Sequence, residues 1–117
     1  MNKEIADAVK HLATLLNQSE EYVEYTKAKA LAVENDTTRA LLKQYASLRM
    51  KAQANMVLGN VDNDIMASLN SLTELLSGNK EASDFLVAEY RVTALLSYVY
   101  ESIGNATDVN MGLDFPE

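Results

Sequence analysis

The sequence predicts an all-α fold: an antiparallel array of about five helices, two of them long, that associates with itself. Apolar residues recur at steps of three and four through five segments, which is the period of amphipathic helices. Four Gly and one Pro among 117 residues are too few for the tight turns of an all-β fold. Because this length suits one core, we expect one helical domain over residues 1–104 and a C-terminal tail over 105–117.

Three helices are predicted in the first half of the chain, over about 2–17, 20–34 and 37–58. The first and third carry stripes spaced by 4, 3 and 4, formed by Ile5, Val9, Leu12, Leu16 and by Leu41, Tyr45, Leu48, Ala52. Their boundaries are marked by Ser19 as an N-cap, by a break at Asn35-Asp36-Thr37 and by a stop at Gly59-Asn60. These residue types favour helix ends. The third helix should be roughly 33 Å long at 1.5 Å per residue.

Two further helices are predicted in the second half. The fourth follows capping residues at 62–64 and carries the stripe Ile65, Leu69, Leu72, Leu76. The fifth, about 80–103, follows Ser77-Gly78-Asn79 and is apolar on several sides. Because such a helix needs several neighbours to cover it, we expect it to be central or shared with another subunit.

Composition excludes several classes of function. Without cysteine the chain has no disulfide, thiolate metal site, iron–sulfur ligand or cysteine nucleophile. The formal charge is −7, whereas a nucleic-acid binder needs a positive face. The basic residues of the third helix point in different directions: Arg39, Lys43, Arg49 and Lys51. We therefore expect no direct binding to nucleic acid.

The sequence also predicts a cytoplasmic protein without a membrane segment. The N-terminal residues are charged and amphipathic and lack the apolar core of a signal peptide. No uncharged apolar run reaches the about 18 residues that a spanning helix needs.

Catalytic patterns are missing, so we expect no enzyme and neither cofactor nor metal. The single histidine, His11, has no second histidine with which to form a metal pair. The carboxylates match no acid–base or calcium-loop spacing. The four glycines stand apart, unlike those of a phosphate-binding loop.

Glu89 is a candidate buried polar residue, because it lies beside the apolar stripe of the fifth helix. A buried carboxylate should be paired, and Tyr22, Tyr25 and Lys29 are candidate partners. The alternative is that Glu89 lies at the edge of the stripe and reaches water.

Candidate interface residues are Tyr90, Tyr98 and Tyr100 on the fifth helix and Phe115 in the tail. Aromatic side chains with a polar tip suit protein interfaces. The tail alternates apolar and polar residues from 109 to 116, so it is either an extended segment that docks in a groove or a frayed terminus.

The chain resembles the YlbF/YmcA family of small helical bacterial proteins, in particular its cysteine-free, YheA-like branch. The resemblance begins at Gln18-Ser19-Glu20-Glu21-Tyr22 and covers roughly residues 3–105. It continues through Tyr25, Ala28, Asn35, Asp36, Leu41, Leu42, Tyr45, Leu48, Gln53, Met56, Gly59, Leu76, Asn79, Phe85, Leu86, Ala88-Glu89, Leu95-Leu96 and Ile103. It implies a compact helical array that self-associates and has no catalytic residues.

The resemblance also implies a class of function and of partner. Some family members join a regulatory complex with a protein called YaaT, which is linked to competence, biofilm formation, sporulation and mRNA processing through ribonuclease Y. Members of that complex bind iron–sulfur clusters through cysteines, and this chain has none.

Two functional hypotheses follow. The first is a homo-oligomeric adaptor or regulator that binds other regulatory proteins. The second is a small-molecule binder, with a pocket between helices lined by Tyr45, Met56 and Tyr90.

Overall fold

The structure is a computed structural model that describes residues 2–107. It contains five helices within this range: α1 (Lys3–Asn17), α2 (Glu20–Glu34), α3 (Asp36–Val57), α4 (Asn63–Ser77) and α5 (Lys80–Ala106). With 22 and 27 residues, α3 and α5 are the two long helices. The predicted all-α fold is therefore confirmed, and the helix boundaries agree within a few residues.

The helix starts are set by the polar side chains that the sequence suggested. The side-chain oxygens of Ser19, Asn35, Asp62 and Asn79 accept hydrogen bonds from backbone N–H groups in the first turns of α2, α3, α4 and α5. Each bond satisfies a donor that a helix start leaves free. Local chemistry therefore fixes where these four helices begin.

Gly59 ends α3. Its φ of 77° is costly for other residues. The Asn60 N–H then donates to the Asn55 carbonyl at 2.8 Å, which closes the last turn.

The end of α5 differs from the prediction, because the helix continues to Ala106 rather than stopping at 103. Gly104 and Asn105 remain helical, and the Thr107 hydroxyl donates to the Ile103 carbonyl at 2.8 Å. No proline interrupts this stretch. The helix thus crosses the boundary placed at residue 104, and most of the predicted tail, including Phe115, lies outside the described residues.

The helices pack in two antiparallel pairs. In the first, α2 lies against α5, as the ion pair of Glu24 with Arg91 and the contact of Tyr25 with Phe85 show. In the second, α3 and α4 form a hairpin whose base packs on the start of α5. Within the described residues α5 contacts α2, α3 and α4, as expected of a central helix, whereas α1 contacts α2 alone.

The buried core is small for this chain length. The buried residues among those described are Ala32, Thr38, Leu72, Leu76, Ala82 and Ala88. Large apolar side chains are exposed on each of the five helices that the structure describes, among them Val9, Leu31, Met50, Leu75 and Leu96. The described part of the chain therefore leaves much apolar surface in water.

Candidate protein-interaction surfaces

The first exposed apolar surface is the α1 stripe, formed by Ile5, Val9, Leu12 and Leu16. Leu12 and Leu16 are half-buried near the turn into α2. Farther from the turn, Ile5 and Val9 are 57% and 58% exposed. No residue of α1 is buried. The stripe thus extends well beyond what α2 covers.

The second surface is the distal α5 face, formed by Leu95, Leu96, Val99 and Ile103. Glu24, in the first turns of α2, pairs with Arg91, so α5 continues past the start of α2. Leu95 and Val99 are half-buried, whereas Leu96 and Ile103 are exposed. This end of α5 therefore extends beyond the ion pair that joins it to α2, and two of its four apolar side chains are exposed.

The third surface is the hairpin tip, where α3 turns into α4. Its exposed apolar residues are Met56, Val57, Leu58, Val61 and Met66. This surface was not predicted from the sequence. The available signal was the run of apolar residues on both sides of Gly59, since a turn between two helices lies at the surface and usually carries polar residues.

The three tyrosines of α5 are exposed, but the structure does not bring them into one patch. Tyr90, Tyr98 and Tyr100 expose more than half of their surface. At 3.6 residues per turn, Tyr98 and Tyr100 lie about 160° apart around the helix. Tyr100 borders the distal α5 face next to Leu96, so it remains an interface candidate there.

Glu89 makes a polar contact, but not with the partners that we expected. The Arg49 Nη1 donates to Glu89 Oε1 at 3.2 Å, with the two side chains 43% and 29% exposed. The Arg49 guanidinium also lies 5.3 Å from the centre of the Tyr45 ring. The pair therefore joins α3 to α5 at the edge of the core.

This ion pair should contribute little to stability, because water reaches both side chains. We expect a double-mutant cycle of Arg49→Gln and Glu89→Gln to give a coupling free energy of about 0.2–1 kcal/mol. Urea unfolding followed by circular dichroism measures it. A coupling above about 2 kcal/mol would contradict a peripheral role.

Within residues 2–107, Met56 and Tyr90 do not line the cleft that Tyr45 borders. Met56 and Tyr90 expose about three quarters of their surface. Tyr45 borders a cleft of about 250 Å³ that is lined instead by residues of α4 and α5: Thr73, Leu76, Ser77, Ser83, Leu86 and Val87. Of the three residues predicted to line a pocket together, only Tyr45 borders this cleft.

The charged groups form no clustered site within residues 2–107. No group of three or more His, Cys, Asp or Glu side chains there is arranged to hold a metal ion. Lys80 pairs with Asp84 at 2.8 Å, and this hydrogen bond raises the pKa of Lys80. Across the same range, no helix is both long and apolar enough to cross a bilayer.

These features define a class: an all-helical protein whose described part has a small core and three exposed apolar surfaces. The family model described as "Control of competence regulator ComK, YlbF/YmcA" matches residues 5–107. The chain belongs to the YlbF/YmcA family, as the sequence resemblance predicted.

Relatives in other bacteria cover nearly the same length. A UPF0342 protein of Symbiobacterium thermophilum is 28% identical over 106 residues, which are 90% of this chain and 95% of the relative. A UPF0342 protein of Desulfitobacterium hafniense is 25% identical over 87% of this chain and 83% of its own. The fold is similar to that of Bacillus subtilis RicA, solved in complex with RicF, with a TM-score of 0.64, 18% identity and coverage of 92% and 96%.

Proposed function

We propose that this protein is a non-catalytic, cytoplasmic adaptor that self-associates and binds other regulatory proteins. The observation that carries the proposal is the excess of exposed apolar surface. Contiguous apolar patches on a folded protein mark interaction sites, and three exposed apolar surfaces lie within residues 2–107, where the buried core is small.

The comparisons support the same class of function. The family description refers to control of a competence regulator. RicA, whose fold is similar, is described in complex with RicF. By analogy, this chain would bind a second protein and act by holding chains together.

The hairpin tip provides the test of binding to other proteins. We compare two baits in the native cytoplasm: the wild-type protein, and a variant with Val57→Asp and Val61→Asp. Both valines are highly exposed, so the variant should fold normally. We expect at least one protein to be enriched reproducibly by the wild type and lost with the variant. Equal recovery with both baits, or no enrichment, would contradict the adaptor role of the tip.

A link to RNA would have to run through a partner. Of the four basic residues on α3, Arg39 is paired with Asp36 and Arg49 with Glu89, and the chain carries a charge of −7. We expect no binding of the isolated protein to single-stranded RNA at physiological salt in a filter-retention assay. Salt-dependent retention at micromolar protein would overturn this part of the proposal.

A further inference from the structure

The hairpin tip combines exposed apolar side chains with charges of one sign. Val57, Leu58 and Val61 expose 87%, 73% and 78% of their surface. Residues 52–79, which contain the whole tip, include three acidic residues and no basic residue. The tip is therefore an apolar patch in a negative electrostatic environment.

Two of these acidic residues, Asp62 and Asp64, follow Val61 in the turn into α4, and both are exposed. The Asp62 Oδ1 accepts from the backbone N–H groups of Asp64 and Ile65 at 2.9 and 3.2 Å, and its second oxygen can accept from a cation at the same time. The positive end of α4 amounts to about half a charge, which is less than the two carboxylates carry. The turn thus remains negative.

No basic side chain within residues 2–107 pairs with these two carboxylates. The ion pairs in this range involve neither Asp62 nor Asp64. Lys51 is the basic residue nearest to the tip along α3, but it lies about 9 Å before the end of that helix and lines a groove with Ser68. The two charges are thus open to a cation from outside this part of the chain.

Charge selects among the possible occupants of the tip. Residues 108–117 include three acidic residues and no basic one, and a second copy of the chain brings a charge of −7. Either would place like charges near the two carboxylates, which costs free energy. Lysine and arginine side chains fit instead, because their aliphatic stems cover apolar surface while their charged ends reach carboxylates.

We infer that the hairpin tip binds a protein surface on which lysine or arginine side chains surround an apolar patch. Opposite charges steer the encounter of two such surfaces and reject partners of the wrong sign, and burial of the apolar side chains drives association. Met56 and Met66 add flexible thioethers that adapt to the shape of the partner. This inference rests on the proposed function and names the chemistry of its partner.

Three synthetic peptides probe the tip with defined chemistry. The first is an amphipathic helix of leucine and lysine, the second has glutamate in place of lysine, and the third has alanine in place of leucine. Fluorescence anisotropy of the labelled peptides measures binding to the full chain at physiological salt. We expect the leucine–lysine peptide to bind at least about tenfold more tightly than either of the others. Equal binding of the leucine–glutamate peptide would overturn the inference.

Two pairs of substitutions test whether the charges of the tip matter. Asp62→Asn with Asp64→Asn removes two charges there and keeps a capping side chain at 62. Glu34→Gln with Glu81→Gln removes two exposed charges near the start of α3, roughly 30 Å from the tip along that helix. We expect the first pair to weaken binding of the leucine–lysine peptide at least about threefold. The control pair should change it less than about 1.5-fold, because salt screens distant charges.

A third variant tests the apolar patch itself. Val57→Asn with Val61→Asn removes apolar surface without adding charge, and circular dichroism verifies that each variant folds. We expect at least about tenfold weaker binding of the leucine–lysine peptide. Binding like that of the wild type would contradict the proposed function of the tip. Loss of binding here, together with equal effects of the Asp→Asn pair and its control, would leave that function standing and overturn the inference about charge.

Two further measurements detect the occupants that charge disfavours. Leu113→Asn with Phe115→Asn in the full chain would tighten binding of the leucine–lysine peptide if residues 108–117 occupied the tip. Val57→Asn with Val61→Asn would lower the mass in sedimentation equilibrium if a second copy occupied it. We expect neither change, and either one would overturn the assignment of the tip to a basic partner.

Discussion

Replacing Leu76 with Ala should destabilise the protein by about 3 kcal/mol. Leu76 is 1% exposed and packs in the cluster where α3, α4 and α5 meet. The substitution removes apolar contacts and leaves a cavity in a core with few other large side chains. At this chain length the loss corresponds to a fall in Tm of about 12 °C. Urea unfolding and calorimetry at a fixed protein concentration measure both quantities.

The adjacent leucine provides a matched control. Leu75 is 61% exposed, so Leu75→Ala makes the same chemical change outside the core. We expect it to alter the free energy of unfolding by about 0.5 kcal/mol or less. Similar losses for both leucines would mean that the core is not centred on Leu76.

Replacing Asn79 with Ala should have the second-largest effect, about 2–3 kcal/mol. The Asn79 Oδ1 accepts from the Ala82 N–H at 3.0 Å and caps α5. Its Nδ2 donates at 2.7 Å to the hydroxyl of Thr38, which is completely buried. The substitution therefore removes a cap and also leaves a buried hydroxyl oxygen without its donor.

Two variants separate these contributions. Asn79→Asp keeps the cap, and its carboxylate can accept from a reoriented Thr38 hydroxyl, so we expect stability within about 1 kcal/mol of the wild type. Asn35→Ala removes only the cap of α3, which Asn35 provides to the Thr38 N–H at 3.0 Å, and should cost about 1 kcal/mol. If N79A costs no more than N35A in urea unfolding, the bond to Thr38 contributes nothing.

Secondary structure could be predicted from the sequence because its determinants are local. Each apolar stripe lies within the helix that it predicts. The capping residues Ser19, Asn35 and Asn79 lie directly before the helices whose starts they define. The end of α5 was misplaced because Gly104 and Asn105 suggested a break, whereas a helix tolerates both residues when neither needs a positive φ.

The exposure of individual side chains could not be predicted in the same way, because it depends on which other helix packs against them. Phe85 and Ile103 belong to one predicted stripe of α5, yet Phe85 is half-buried against Tyr25 and Ile103 is exposed. The difference arises because α2 has only 15 residues: it lies against Phe85 and does not extend as far along α5 as Ile103. The partner of Glu89 was missed for a similar reason, since Arg49 lies 40 residues away along the chain.

The hairpin tip is the surface that we propose for binding to other proteins. A dimer of this chain would present two identical tips, and two linked sites bind more tightly than one.

Sedimentation equilibrium of the wild-type protein tests the central claim most directly. Each chain has a mass of 12.9 kDa, and apolar faces that its own core leaves in water should be covered by another chain. At micromolar concentration we predict a mass that is a multiple of this value and that falls on dilution. A mass of one chain across the whole concentration range would contradict the account.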